Sequence, residues 1–175
     1  ISVDEEGFRA CVDESRKRSR EDRLAKGGSS WDEDAMSNLD LPKTKFTGYD
    51  YSQLEINAKV LAVFKDGAEV SELNEGDDAV VILDETPFYA ESGGQVGDTG
   101  VITIGESRFA VTDTKKTAKG QYLHFGTVEM GGLGKGDSVT ASVNVEKRYA
   151  IMRNHTAAHL LQAALRKVLG DHVHQ

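Results

Sequence analysis

Between residues 46 and 145 short runs rich in Val, Ile, Phe and Tyr alternate with glycine-containing turns, the pattern of β-strands joined by tight reversals. The runs predict strands over 54–64, 79–84, 100–104, 108–114, 122–129 and 138–144. Lys65-Asp66-Gly67 closes the first run, and further Asp-Gly and Gly-Asp pairs punctuate the others. No helical stretch lies between them to serve as a crossover, so an antiparallel β-barrel of about six strands is expected rather than a parallel sheet. The stretch Leu133-Gly134-Lys135-Gly136-Asp137-Ser138-Val139-Thr140 reads as a loop entering the last barrel strand.

The period then changes. Asn144 is placed to cap a long helix over 145–169, which Gly170 would close. At about 100° per residue, Leu160, Leu161, Ala164, Leu165, Val168 and Leu169 share one side of that helix. His155, His159, Gln162 and Arg166 fall on the other, so the histidines stand outside the apolar stripe. At the other end of the chain, Ser2-Val3-Asp4-Glu5 is a capping-box pattern that opens a helix carrying Phe8, Cys11 and Val12. Lys26-Gly27-Gly28-Ser29-Ser30 stops it, and the polar, acidic stretch up to about Lys45, with Trp31 as its one large apolar anchor, reads as a linker. The expected class is α+β: a helix over 1–26, a linker over 27–45, the barrel over 46–144, and the histidine-bearing helix with its tail over 145–175.

Composition narrows the function classes. The 175 residues are those of an ordinary globular protein, with no apolar run near the ~20 residues that cross a bilayer. The acidic start, Ile1-Ser2-Val3-Asp4-Glu5-Glu6, has neither the basic nor the apolar region of a secretory signal, and a cytoplasmic protein is expected. A single cysteine, Cys11, excludes an internal disulfide and reads as a small buried apolar residue. The formal charge of −8 argues against nonspecific nucleic-acid binding. Any RNA contact must be local, through Arg16-Lys17-Arg18-Ser19-Arg20 with Arg23, or through Lys147, Arg148, Arg153, Arg166 and Lys167 around the histidines. The first cluster is interleaved with Asp13, Glu14, Glu21 and Asp22 and reads as a solvated helix face.

Two segments carry candidate chemistry. In Arg153-Asn154-His155-Thr156-Ala157-Ala158-His159-Leu160-Leu161 the histidines lie four residues apart on a helix, so both imidazoles point the same way, as in half of a metal site. In Phe88-Tyr89-Ala90-Glu91-Ser92-Gly93-Gly94-Gln95-Val96-Gly97-Asp98-Thr99-Gly100 the glycines are too dense for a strand. They either make a tight barrel turn with Gln95 in solvent, or let the backbone approach a ligand closely beside the Gln95 amide.

Taken together, in this order and spacing, the segment from Phe88 to Gly100 and the helix from Arg153 to Leu160 resemble the editing region of the alanyl-tRNA synthetase family. Phe46-Thr47-Gly48-Tyr49 resembles that family's entry into the barrel, and Gly170-Asp171-His172-Val173-His174-Gln175 its continuation. The first helix resembles the end of the family's tRNA-recognition region, so the chain looks like an internal piece of a much longer enzyme.

The resemblance implies a ligase that attaches alanine to its tRNA with ATP, the ATP site lying outside this chain, and that hydrolyses tRNA mischarged with serine or glycine. A pocket selecting so small a side chain discriminates weakly, and a second site must remove the errors. It implies a zinc ion held by His155 and His159 together with a Cys and a His further downstream. It implies a pocket role for Gln175 and places Gln95 with Gly93 and Gly94 close to the acceptor end of alanine tRNA, with Arg153 and Arg166 of the second basic cluster as the expected RNA-binding cations. The partners implied are that tRNA and the remaining domains of the same polypeptide. Two histidines fall short of the four ligands, or three plus water, that zinc prefers, so the 175 residues alone are expected to hold zinc weakly and to edit poorly. Ala158 stands where the family often has threonine, which shifts the reading of serine onto other groups. A noncatalytic RNA-binding barrel and a structural connector are the alternatives.

Overall fold

The computed structural model describes residues 40–50 and 52–173, which lie within a compact unit spanning Glu33–Gln175. The expected N-terminal helix, most of the linker, Cys11, the first basic cluster, His174 and Gln175 lie outside the described residues.

Eleven strands and one helix follow in chain order among the described residues. The six long strands are β2 (Glu55–Lys65), β5 (Asp78–Leu83), β7 (Gly100–Ile104), β8 (Ser107–Lys116), β9 (Tyr122–Met130) and β11 (Ser138–Val143). They pair antiparallel in the order β11-β7-β8-β9-β5-β2, and a further β11–β2 pairing closes the ring. Closure leaves no edge strand among the six. These strands coincide with the six predicted runs to within a residue or two at most ends.

Alternation decides what fills the barrel. On β11 the register buries Val139, Ala141 and Val143, with half-exposed or exposed residues between them. Val60, Val81, Leu83, Ile102, Phe109, Val111 and Val128 point into the same core. β2 and β8 each carry a register shift, between Val60 and Ala62 and between Val111 and Asp113, where a bulge bends the strand around the ring.

The sequence pattern does not predict the short strands. β3 (Ala68–Val70) extends the edge of β2. β4 (Glu72–Asn74) and β10 (Gly132–Gly134) form a separate antiparallel pair. That pair places Leu73 opposite Leu133, both buried, at the end of the barrel where β2 and β9 finish and β5 and β11 begin. β1 (Lys45–Phe46) pairs in parallel with β6 (Glu85–Thr86) at the opposite end. Two or three residues between glycine turns are too few to display a period, so only tertiary pairing defines these strands.

At that second end β5 finishes, β7 begins and β11 hands the chain to the helix α1 (Val145–Leu169). Asn144 caps α1 as predicted, its side chain accepting from the Lys147 N–H at 3.0 Å. Its own N–H donates to the Thr99 carbonyl at 2.8 Å, tying the cap to the base of the glycine-rich segment. Gly170, at φ 112°, closes the helix with an N–H bond to the Arg166 carbonyl. From Arg153 onward nearly every residue of α1 is exposed, including Leu160, Leu161, Val168 and Leu169 of the predicted apolar stripe. No helix among the described residues is long and apolar enough to cross a membrane.

Candidate functional site

The glycine-rich segment is a compact hairpin rising from the end of the barrel. Tyr89 and Asp98 form its base: the Asp98 N–H donates to the Tyr89 carbonyl at 2.9 Å, and the Tyr89 N–H donates to the Asp98 carboxylate at 2.7 Å. Ser92 and Gln95 bond each other across its tip. Between them Gly93 and Gly94 have φ of 59° and 81°, the two consecutive positive values of a type I′ turn. Space around both glycines is open, so the turn demands glycine through its dihedral angles and not through crowding. The glycines make the expected tight turn, and both are exposed. Gln95 is half-buried against the turn, and Val96 next to it is exposed.

His155 and His159 stand on α1 with their Nε2 atoms 2.9 Å apart and ring centroids 4.7 Å apart. One ring donates and the other accepts in this contact. Two nitrogens bound to one tetrahedral zinc would lie about 3.3 Å apart, so the pair already has nearly the bite of two ligands. Both rings are exposed, and among the described residues no group of three or more His, Cys, Asp or Glu could hold a metal ion. The pair therefore fits as half of a zinc site. His172 lies exposed beyond Gly170 and does not join it.

Arg153 and Arg166 are exposed on α1, Arg166 within 3.3 Å of Asp171. Arg148 corrects the expectation drawn from the basic cluster. It is buried, 4% exposed, and its guanidinium pairs with the equally buried Asp98. Nε donates to both carboxylate oxygens at 2.9 and 2.7 Å, Nη1 to the Gly48 carbonyl at 3.0 Å, and Nη2 to the Pro87 carbonyl at 2.7 Å. A cation so enclosed is unavailable to RNA. Its neighbours Glu146 and Lys147 are exposed, and nothing in the local sequence distinguishes the one arginine that turns inward.

A second buried polar group sits below the hairpin. His124 on β9 is fully buried, with Nδ1 donating to the Val81 carbonyl at 2.8 Å. Nε2 therefore accepts from the Thr86 hydroxyl at 2.7 Å, and that hydroxyl accepts from the Phe88 N–H at 3.2 Å. Burial lowers the imidazole pKa to about 4, only partly opposed by the bond to Val81, so the ring is a neutral core group. Beside it Phe46 stacks on Tyr122 and meets Tyr49 and Tyr89 edge-on, with Lys116 over the Tyr122 ring. Tyr49 is 78% exposed, which leaves an aromatic surface at the foot of the hairpin.

The sequence that builds this barrel and its glycine hairpin is matched by a known family. The model of the family described as tRNA synthetases class II (A) covers residues 1–147, and the chain belongs to that family. Over its whole length the chain is 51% identical to the alanine–tRNA ligase of Acetivibrio thermocellus, 47% identical to that of a Thermoanaerobacter species and 49% identical to that of Neisseria meningitidis serogroup C. It spans about a fifth of the length of these curated relatives, 20%, 20% and 19% respectively.

Proposed function

We propose that the whole protein is an alanine–tRNA ligase that joins alanine to its tRNA at the expense of ATP, bound outside these residues. We propose further that the segment described here belongs to its editing region, which hydrolyses seryl or glycyl esters of that tRNA. In this reading residues 1–26 end the tRNA-recognition region, 27–45 link it to the barrel of 46–144, and 145–175 begin the editing core. The observation that carries it is the His155–His159 pair, 2.9 Å apart on a helix anchored to the base of the hairpin that bears Gly93 and Gly94.

Each group has a role in this reading. His155 and His159 would hold zinc as two nitrogen donors, with further ligands from beyond the described residues. Bound there, the metal would supply Lewis acidity at the ester carbonyl or orient a water molecule. The Gly93–Gly94 turn presents bare backbone, and Gln95 an amide that both donates and accepts, toward the acceptor end of the RNA. Arg153 and Arg166 offer exposed cations to its phosphates. Gln175 would line the same pocket. Hydrolysis adds water across the ester: its oxygen joins the carbonyl carbon, the ribose oxygen leaves, and one proton passes to that oxygen. The 175 residues alone, with two nitrogen donors, would bind zinc weakly and hydrolyse slowly. A cytoplasmic location belongs to this reading.

The test is the hydrolysis rate of seryl-tRNA for alanine by the full-length protein, with and without His155→Ala. Zinc-dependent hydrolysis that falls by about 10²-fold or more in the variant is expected. A wild-type rate equal to the spontaneous background would overturn the editing reading, and would leave a barrel that binds or positions RNA.

A further inference from the structure

Four separated stretches of chain meet at the Arg148 guanidinium. It touches Gly48 of the entry segment, Pro87 at the start of the hairpin and Asp98 at its end, and its own backbone belongs to the first turn of α1. Asp98 in turn accepts from the Tyr89 N–H, so the same carboxylate closes the hairpin base and binds the helix. His155 and His159 follow Arg148 by seven and eleven residues. At about 100° and 1.5 Å per residue, both lie within about 20° of the Arg148 face, about 10 and 16 Å along the helix. From Asp98 to Gly94 the chain can extend about 13 Å. The hairpin and the imidazole pair thus start from one buried joint with comparable reach.

We propose that the Arg148–Asp98 pair is the positioning element of the editing site, fixing the rotation and tilt of α1 against the glycine hairpin so that the imidazole pair and the turn present themselves to one substrate. The proposal rests on the editing reading above. A buried ion pair is a poor source of net stability, because desolvation offsets most of its attraction. What a planar fork held by one carboxylate and two carbonyls supplies is geometry: it admits one rotation of the helix about its axis. Beyond Arg153 the side chains of α1 are mostly exposed, so the orientation of the histidines depends on this first-turn anchor and on the Asn144 cap. Neither residue touches the reacting atoms in this account.

The experiment uses the full-length protein with Arg148→Lys, which keeps the charge but loses the fork, and Asp98→Asn, which keeps the shape but loses the charge. Four quantities are read: kcat and KM for seryl-tRNA hydrolysis, zinc content, and the distance between spin labels at Val96→Cys and Ala163→Cys in a background without other reactive cysteines. Both variants are expected to retain zinc and to keep KM within about 3-fold, to lose about 10²-fold in kcat, and to broaden the label distance distribution. Arg148→Ala should regain part of kcat, and a narrower distribution, when millimolar guanidinium fills the space beside Asp98. Unchanged kcat and an unchanged distance distribution in folded variants would overturn the proposal. If wild-type protein does not hydrolyse seryl-tRNA, the editing reading fails, and with it the catalytic half of the proposal. The label distances then decide separately whether the pair couples the hairpin to the helix.

Discussion

His124 makes the barrel's stability depend on pH in a window that no ordinary surface group reproduces. Its pKa is about 4 in the folded chain against 6.5 for the free side chain, because the fully buried ring cannot carry charge. Between those values the unfolded chain binds a proton that the folded chain refuses, so stability is fully present above pH 6.5 and is lost as pH falls toward 4. Relative to pH 7 the loss amounts to about 1 kcal/mol at pH 5.5 and about 2 kcal/mol at pH 4.5. Asp50 and Asp77, both held below 3.8 first by side-chain hydrogen bonds, from Ser52 and Lys65 respectively, act lower in the scale. The assay is urea unfolding followed by far-ultraviolet circular dichroism at pH 7, 5.5 and 4.5, on the wild-type chain and on His124→Gln. Glutamine retains a donor for the Val81 carbonyl and an acceptor for Thr86 without titrating. The variant is expected to be less stable at pH 7 and to show a shallower acid loss than wild type, by about 2 kcal/mol at pH 4.5. Parallel curves for the two proteins would refute the assignment of His124 as a buried neutral group.

Two glycines give tests of opposite kind. At Gly126 an added Cβ would lie 1.9 Å from the Ala110 carbonyl oxygen, across the β8–β9 pair next to the bulge. Gly126→Ala should therefore destabilise the barrel by about 2 kcal/mol or more in the same unfolding assay. At Gly93 there is open space, and only the φ of 59° selects glycine. Gly93→Asn should leave the turn nearly intact while Gly93→Val costs about 1–2 kcal/mol locally, read as faster proteolytic nicking between Glu91 and Val96 with the melting temperature little changed.

The two halves of the candidate site were legible to different degrees. The His155–His159 spacing and the cap at Asn144 are local properties of a helix, and the structure reproduces both because 3.6 residues per turn leaves no alternative. At Gly93–Gly94 the sequence points to a tight turn, and the two positive φ values with open space around both glycines show that turn. For Arg148 the sequence suggests the wrong partners. Charge clustering along a helix reports which residues are near one another in sequence, while its true partner Asp98 lies fifty residues away. Asp98 itself stood unremarked in the motif, since a single acid beside glycines carries no signal until its cation is placed.

Local chemistry by itself determined the six barrel strands, their antiparallel sense, the bounds of the final helix and the pairing of its histidines, each because period, turn residues and caps act within a few positions along the chain. Only the tertiary structure decided the closing β11–β2 contact, the β4–β10 pair, the burial of His124 and the inward turn of Arg148. Each of these joins residues tens of positions apart, and the free energy that selects them comes from burial and from satisfying buried polar groups, quantities defined only once the barrel has closed.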